Sequence, residues 1–108
     1  MTILSPANYK DILNASFVNP TKLIVIDCNA TWCGPCKAIH PFIKNLSNKM
    51  TNIIFMEVNV EDEEHIDTVN KFAVSAMPTF IYMKNGSVLD KTMGADQKKI
   101  YETILKYC

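Results

Sequence analysis

Two cysteines, Cys33 and Cys36, stand three positions apart in the segment TWCGPCK, residues 31–37. A pair at this spacing can be half of a zinc site, a structural disulfide, or a redox centre that cycles between dithiol and disulfide. Residues three apart on a helix share one face, about 5–6 Å apart at Cβ, so a small rotamer change can close the disulfide. The spacing by itself leaves all three interpretations open.

Zinc would need more ligands than the pair supplies, because a structural site usually takes four. His40 is a further candidate on the same helix face, but the chain has no second Cys-x-x-Cys and no nearby pair of histidines. His65 stands alone in an acidic segment, where an exposed polar role is expected. A purely structural disulfide is also disfavoured, since so short a loop restrains the unfolded chain little. The favoured interpretation is a redox centre, with no metal.

The pair lies where a predicted strand gives way to a predicted helix. The apolar run KLIVIDC (22–28) is typical of a strand buried on both faces, and spaced apolar residues predict a helix from about 33 to 49. A helix start exposes unpaired N–H groups and a partial positive charge, and both favour a thiolate. We therefore expect Cys33, at the exposed tip, to attack disulfides and Cys36, one turn deeper, to resolve the mixed disulfide.

The remaining pattern predicts an α/β domain with a mixed central sheet and helices on both faces, a single domain over residues 1–108. IIFMEV (53–58) is a second apolar strand, parallel to the first, and Asn85-Gly86 predicts an antiparallel hairpin of TFIYM (79–83) and SVLDKTM (87–93). Three more helices are predicted to begin at Ser5-Pro6, in EDEE (61–64) and at Asp96. The inward-facing residues expected on the last two are Ile66, Val69, Phe72 and Ala73, then Ile100, Tyr101, Ile104 and Leu105.

Composition and charge exclude several classes of function. Basic and acidic residues balance at 11 each with no basic stripe, so nucleic acid is not expected as a partner. No apolar run approaches membrane-spanning length, and the first residues lack a signal-peptide pattern. With four cysteines, a hydrophobic fraction of 48% and no secretory pattern, the expected compartment is a reducing cytoplasm rather than an oxidising one.

Several motifs together resemble the thioredoxin family: ATWCGPCK (30–37), MPTF (77–80), NG (85–86) and MGA (93–95). The resemblance covers essentially the whole chain and implies the thioredoxin fold and a general protein-disulfide reductase. It implies that Cys33 is the nucleophile, Cys36 the resolving thiol, and the two together the redox-active disulfide. It also implies oxidised protein substrates and re-reduction by an NADPH-dependent thioredoxin reductase. The chain has no dinucleotide fingerprint, so no cofactor is expected on it.

The resemblance assigns further residues to the site. Asp27 matches the buried acid beneath the cysteines; a carboxylate inside an apolar strand is costly, which suggests a perturbed pKa and a role in proton transfer to and from Cys36. Pro41 matches the proline that kinks the long helix. The positions that match substrate-binding residues, with the Met77–Pro78 bond in cis, are Trp32, Gly34, Pro35, Met77, Pro78 and Gly94.

Three positions depart from the family pattern. Cys28 replaces an aromatic residue that often follows the buried acid, and we expect it to be a buried, inert thiol. Glu57 stands where bacterial members often carry a lysine near that acid. Cys108 ends the chain, where exposure is expected. We therefore expect a monomer under reducing conditions and a dimer linked through Cys108 on mild oxidation.

Two other functions remain possible on the same fold. One is a luminal oxidase or isomerase, against which Gly34-Pro35 and the lack of a signal peptide or retention tail argue; its reduction potential against glutathione would separate it from a reductase. The other is a binding subunit without redox turnover. That function would be supported if Cys33→Ser lost activity but kept its partners.

Overall fold

The computed structural model describes residues 3–108, which form helices and strands in alternation. The helices are α1 (Tyr9–Val18), α2 (Gly34–Lys49), α3 (Ile66–Lys71) and α4 (Gln97–Tyr107), and a 3₁₀ turn at Glu63–His65 leads into α3. The strands are β1 (Ile24–Asn29), β2 (Ile54–Asn59), β3 (Thr79–Lys84) and β4 (Ser87–Met93). Within this part of the chain, no helix is long and apolar enough to cross a bilayer.

The strands form one mixed sheet in the order β2-β1-β3-β4. β1 runs parallel to β2 and antiparallel to β3, and β3 and β4 form the antiparallel hairpin. Leu4 adds an isolated parallel bridge to Met56 on the outer side of β2. The predicted α/β class and mixed sheet are confirmed. The hairpin turn has positive φ at Asn85 and Gly86, 50° and 78°, as the Asn-Gly pair predicts.

The two faces of the sheet hold separate apolar clusters, because successive side chains of a strand point to opposite sides. On one face, Leu23 and Val25 pack with Phe55 and with residues of α2 and α4. On the other face, Ile24, Ile26 and Cys28 pack with Ile12 of α1 and with Phe72, the C-cap residue of α3. Helices therefore cover both faces, as predicted. By the same alternation Asp27 lies on the side of Val25, beneath α2.

The first helix begins later than predicted, at Tyr9 rather than at Ser5-Pro6. Asn8 is its N-cap, and the Asn8 side chain accepts a hydrogen bond from Asp11 N at 3.0 Å. The segment before it is extended because Leu4 pairs with β2 through Leu4 N to Phe55 O and Glu57 N to Leu4 O, each 2.9 Å. A long-range strand contact thus overrides the local Ser-Pro signal.

The prediction that His65 is exposed was wrong, since the residue is 3% exposed. Its Nε2 lies 2.8 Å from Pro6 O and its Nδ1 2.8 Å from Thr68 Oγ1. A carbonyl oxygen only accepts, so Nε2 carries the hydrogen and the Thr68 hydroxyl donates to Nδ1. The buried imidazole ties the N-terminal segment to α3.

The predicted inward stripes of α3 and α4 are partly wrong. Ile66 is 59% exposed and Ala73 is also exposed, while Thr68 and Phe72 are buried. On α4, Ile100 and Ile104 are buried as predicted, but Tyr101 and Leu105 are 43% and 49% exposed. α3 has only six residues after a 3₁₀ turn, so its inward face does not follow from a long helical period. The predicted cap of α4 is confirmed, since the Asp96 side chain accepts from Lys99 N at 3.1 Å.

Candidate active site

The loop after β1 places the two cysteines at the start of α2. Cys33 is the N-cap residue, with extended backbone, and Gly34 and Pro35 open the helix. The Cys36 backbone N–H donates to Cys33 Sγ at 3.2 Å. Pro35 has no N–H, and in the first helical turn none is needed. The unpaired donors and partial positive charge of a helix start therefore face the Cys33 sulfur, which favours its thiolate in the reduced protein.

Cys33 and Cys36 form a disulfide, with their Cα atoms 5.3 Å apart. Both residues are buried, 4% and 5% exposed, so the predicted difference in exposure is wrong for the oxidised protein. Ala30 belongs to the same small apolar cluster, and Val60 and Met77 pack against it. The asymmetry of the pair lies instead in the backbone, since Cys33 precedes the helix and Cys36 is part of it.

Asp27 lies at the end of β1 with 2% of its surface exposed, and its Oδ1 has no hydrogen-bond partner among residues 3–108. Burial, and secondarily the charge of Glu57, raise the pKa of Asp27 from 3.8 to about 7; the Asn29 side chain opposes them. A carboxyl that gains and loses its proton near neutral pH can take part in proton transfer at physiological pH.

An open pocket of about 260 Å³ adjoins Cys36, lined by Asn29, Ala30, Thr31, Cys36, Lys37 and His40. Its wall combines the end of β1 with the first turns of α2. Asn29 from the strand and His40 from the helix line this pocket together with Cys36. The pocket therefore opens beside Cys36, between the end of β1 and the start of α2.

The surface around the disulfide is partly apolar. Trp32 is 65% exposed, Gly34 and Pro35 are also exposed, and Met77 packs on the cysteine cluster. The Met77–Pro78 bond is cis, as the resemblance implies. Gly94 has φ of 96° and donates from its N to Pro78 O at 2.8 Å, and a Cβ there would meet nothing within 4 Å. Of the predicted docking residues, Met77 packs on the cysteine cluster, Pro78 is buried, and Gly94 is hydrogen-bonded to Pro78.

Comparison with known proteins now decides the family. The model of the family "Thioredoxin" matches residues 1–106. The chain belongs to the thioredoxin family. The thioredoxin of Equus caballus is 41% identical over 102 residues, which cover 94% of this chain and 92% of that protein. With the Cys33–Cys36 disulfide in place, membership of the thioredoxin family makes the chain a thiol–disulfide oxidoreductase.

Solved structures agree with this assignment. The X-ray structure of Fasciola hepatica thioredoxin superposes with a TM-score of 0.93 at 33% identity, covering 98% of this chain and all of that one. A chain from a structure on the thiol-resolving mechanism of yeast mitochondrial 1-Cys peroxiredoxin via glutathione/thioredoxin systems has a TM-score of 0.87 at 30% identity. There the match covers 97% of this chain and 95% of that chain. The thioredoxin fold predicted from the motifs is thereby confirmed.

Glu61 supports the thioredoxin-type active-site loop, a contact that the sequence did not predict. Its Oε1 accepts from Thr31 N at 3.2 Å and from Thr31 Oγ1 at 2.9 Å, directly before Trp32. The EDEE segment was interpreted as a solvated helix start, and only Glu63 and Glu64 belong to such a turn. A sequence separation of 30 leaves no local signal for the Glu61–Thr31 contact.

Metal ligation finds no support in the described part of the chain. Among residues 3–108, no three His, Cys, Asp or Glu side chains come together in a way that could hold a metal ion. The proposed third ligand, His40, instead has its Nδ1 3.9 Å from Glu57 Oε2. Other residues that the sequence placed near the thioredoxin site lie where expected: Pro41 is inside α2, and Cys28 is fully buried beneath the opposite face of the sheet.

Proposed function

We propose that the chain is a general protein-disulfide reductase that works by thiol–disulfide exchange through Cys33 and Cys36. The observation that carries this proposal is the disulfide at the start of α2, where Cys33 Sγ accepts a helical N–H and the neighbouring Trp32 is exposed. Such a site supports a reactive thiolate and an extended protein substrate together.

The first step is attack on the substrate. The Cys33 thiolate forms a bond to one sulfur of the substrate disulfide, the substrate S–S bond breaks, and the second substrate sulfur leaves as a thiolate. The backbone donor of Cys36 and the helix start favour the thiolate form of Cys33 before attack. The product is a mixed disulfide between Cys33 and the substrate.

The second step is resolution of the mixed disulfide. The Asp27 carboxylate accepts the proton of Cys36, through water, and the Cys36 thiolate then attacks the Cys33 sulfur. The bond between Cys33 and the substrate breaks, and the substrate sulfur leaves as a thiolate that takes up a proton. Two electrons have passed from the dithiol to the substrate. A pKa of Asp27 near 7 supports this role, since both of its protonation states are populated at neutral pH.

Substrate recognition is assigned to the surface around the disulfide, formed by Trp32, Gly34, Pro35, Met77, Pro78 and Gly94. The backbone of Met77 hydrogen-bonds to an extended substrate segment, and the exposed Trp32 and the open surface at Gly94 contact its side chains. Support comes from the packing of Met77 on the cysteine cluster and from the Gly94–Pro78 hydrogen bond, which joins the two parts of the surface.

The oxidised pair is returned to the dithiol by an NADPH-dependent thioredoxin reductase, so the chain acts as an electron carrier and needs no cofactor of its own. We place this cycle in the cytoplasm and contributing to its redox homeostasis. Family membership supports the partner. The likeness to a chain from a structure that concerns a peroxiredoxin supports thiol peroxidases as one class of substrate.

The test is the fate of the mixed disulfide in two serine variants, each incubated with a protein that has an accessible disulfide. Cys36→Ser is expected to attack and then stall as a mixed disulfide through Cys33, whereas Cys33→Ser is expected to form none. Equal accumulation in the two variants would overturn the assigned roles. The reduction potential of the wild-type pair, measured against glutathione, is expected to be that of a reductase; a strongly oxidising value would indicate an oxidase instead.

A further inference from the structure

Glu57 stands directly beside Asp27 in the sheet. The parallel strands β1 and β2 pair Asp27 with Glu57 in register, and such strands are about 4.8 Å apart. Side chains in register on neighbouring strands point to the same face, which here is the face that α2 covers. Asp27 is buried, whereas the Glu57 side chain is 36% exposed. A second carboxylate therefore lies between the buried acid and solvent.

His40 lies on the other side of Glu57. It is one helical turn after Cys36, so the two share a face of α2, and both line the pocket beside the resolving thiol. Its Nδ1 is 3.9 Å from Glu57 Oε2, and its side chain is 45% exposed. Asp27, Glu57 and His40 thus form a series that runs from the interior to the solvent.

The residues near this series come from α2, β3, β4 and the segment that leads to α3, and only some of them are charged. From α2, Lys37 lines the same pocket as His40. A second pocket, of about 250 Å³, is lined by Glu57 together with Asn29, Asn59, Asp62 and His65. From β3, the residue in register with Asp27 is the apolar Phe80. In β4, the charge of Lys91 opposes the rise in the pKa of Cys28, which belongs to the cluster on the opposite face. Glu57 is thus the charged group in register with Asp27.

We propose that Glu57 and His40 are positioning residues that set the pH at which Asp27 releases its proton. The Glu57 carboxylate disfavours a second negative charge beside it and so holds the proton on Asp27. When His40 is protonated it pairs with Glu57, weakens that repulsion, and lets Asp27 ionise at lower pH. Histidine is suited to this task because its proton ordinarily exchanges between pH 5 and 8.

The inference rests on the proposed role of Asp27 in resolving the mixed disulfide. If Asp27 takes the Cys36 proton, resolution requires the ionised Asp27, and His40 then extends resolution towards acidic pH. The two residues act in opposite directions on the same group. Glu57 raises the pH at which Asp27 ionises, and protonated His40 lowers it.

The test is a ¹³C NMR titration of the Asp27 carboxyl in the oxidised protein. With Glu57→Gln, the midpoint is expected to fall below that of the wild type but stay above 3.8, because burial is the larger cause of the raised pKa. With His40→Gln, the midpoint is expected to rise. In the Glu57→Gln background, His40→Gln is expected to add little, because the imidazole acts through Glu57.

Two controls keep the test specific. Glu57→Asp retains the charge and is expected to restore a midpoint close to that of the wild type. Lys44→Gln removes a charge from the exposed side of α2, one turn beyond His40, and is expected to change nothing. An unmoved midpoint in Glu57→Gln would overturn the inference, as would equal shifts in Glu57→Gln and Lys44→Gln.

A second measurement separates this inference from the proposed function. The rate of mixed-disulfide resolution, followed in a single turnover from pH 5 to 9, is expected to shift along the pH axis in the same direction as the NMR midpoint. If the midpoint moves but the rate profile does not, the proton-transfer role of Asp27 fails while its coupling to Glu57 stands. If no NMR midpoint moves in any variant, but the rate profile of every variant has its midpoint at that of Asp27, the coupling to Glu57 fails while the proton-transfer role of Asp27 stands.

Discussion

Cys28 and Cys33 are five residues apart in the chain and both are buried in the oxidised protein, but the groups around their sulfur atoms differ. Cys28 lies inside β1 with no exposed surface, and burial together with the charge of Asp27 raises its pKa to about 12. Cys33 ends the loop that follows and receives a backbone N–H from the first turn of α2. Since the side chains are identical, the difference shows that the end of a strand and the start of a helix decide which sulfur can react.

The largest expected effect is on alkylation by iodoacetamide at pH 7 in the reduced protein. Relative to an ordinary thiol of pKa 9.0, the thiolate population of Cys28 is about a thousandfold smaller, and burial slows its reaction further. Cys33 is expected to react first, by at least that factor, in peptide mass spectrometry. In denaturant the two thiols should react at similar rates. A fast reaction of Cys28 in the folded protein would contradict the predicted difference in reactivity.

Asp27→Asn tests the buried acid that precedes Cys28 in β1. The folded-state pKa of about 7 exceeds the ordinary 3.8, so the folded chain holds this proton more tightly than the unfolded chain. The contribution of this proton to the free energy of unfolding is complete only below the ordinary pKa of 3.8, and it is lost as the pH rises through 7. The variant avoids that loss, so we expect it to be more stable than the wild type by about 3–4 kcal/mol at pH 8.

The measurement is urea unfolding of wild type and Asp27→Asn at pH 4 and at pH 8. The gain is expected at pH 8 and should be much smaller at pH 4, where Asp27 carries its proton in the folded chain and in a large part of the unfolded chains. A gain of the same size at both pH values would assign the effect to packing rather than to charge. Release of reduced substrate at neutral pH is expected to slow in this variant.

Cys28→Ala tests the prediction that Cys28 contributes to stability but not to the reaction. Removing one buried sulfur from the cluster with Ile24, Ile26 and Met56 is expected to lower the free energy of unfolding by about 1 kcal/mol. Disulfide reduction is expected to be unchanged, because Cys28 lies on the face of the sheet away from α2. Thermal unfolding and a turnover assay measure the two effects, and lost turnover with intact stability would give Cys28 a role in the reaction.

The smallest expected effect is at Cys108, a third kind of thiol environment. It is exposed at the end of α4, with its Sγ 3.8 Å from Leu105 O. Mild peroxide treatment is expected to give a disulfide-linked dimer on a non-reducing gel, and Cys108→Ser should abolish the dimer without changing turnover. A dimer band that persists in Cys108→Ser would point to the catalytic pair or to Cys28.

Local patterns predicted the elements that carry the chemistry. The apolar run before Cys28, the helical spacing after Cys36 and the Asn85-Gly86 turn each act over a few residues, and the structure follows them. The spacing of Cys33 and Cys36 permits the disulfide, and the resemblance to the thioredoxin family implied it. Asp27 was identified from the resemblance to the family, and the cost of a carboxylate within an apolar strand supported that assignment, although its pairing with Glu57 required the strand register.

Contacts between distant segments account for the errors. The imidazole of His65 is buried because Pro6, 59 residues away, supplies an acceptor, and the same segment is extended because Leu4 joins β2. Glu61 contacts the active-site loop across a separation of 30 residues. Composition around these residues is polar, so a solvated surface was the natural interpretation until the tertiary contacts were known.

The strand bridge at Leu4 has a consequence for aggregation. Free backbone groups at a sheet edge are templates on which further chains can add strands. Leu4 occupies such groups on the outer side of β2 next to Met56, while β4 at the opposite edge carries a register shift against Tyr82 and Met83 and the charged pair Asp90 and Lys91. Irregular pairing and charge both discourage edge-to-edge growth. The chain can therefore expose apolar side chains such as Trp32 and still resist polymerising through its sheet.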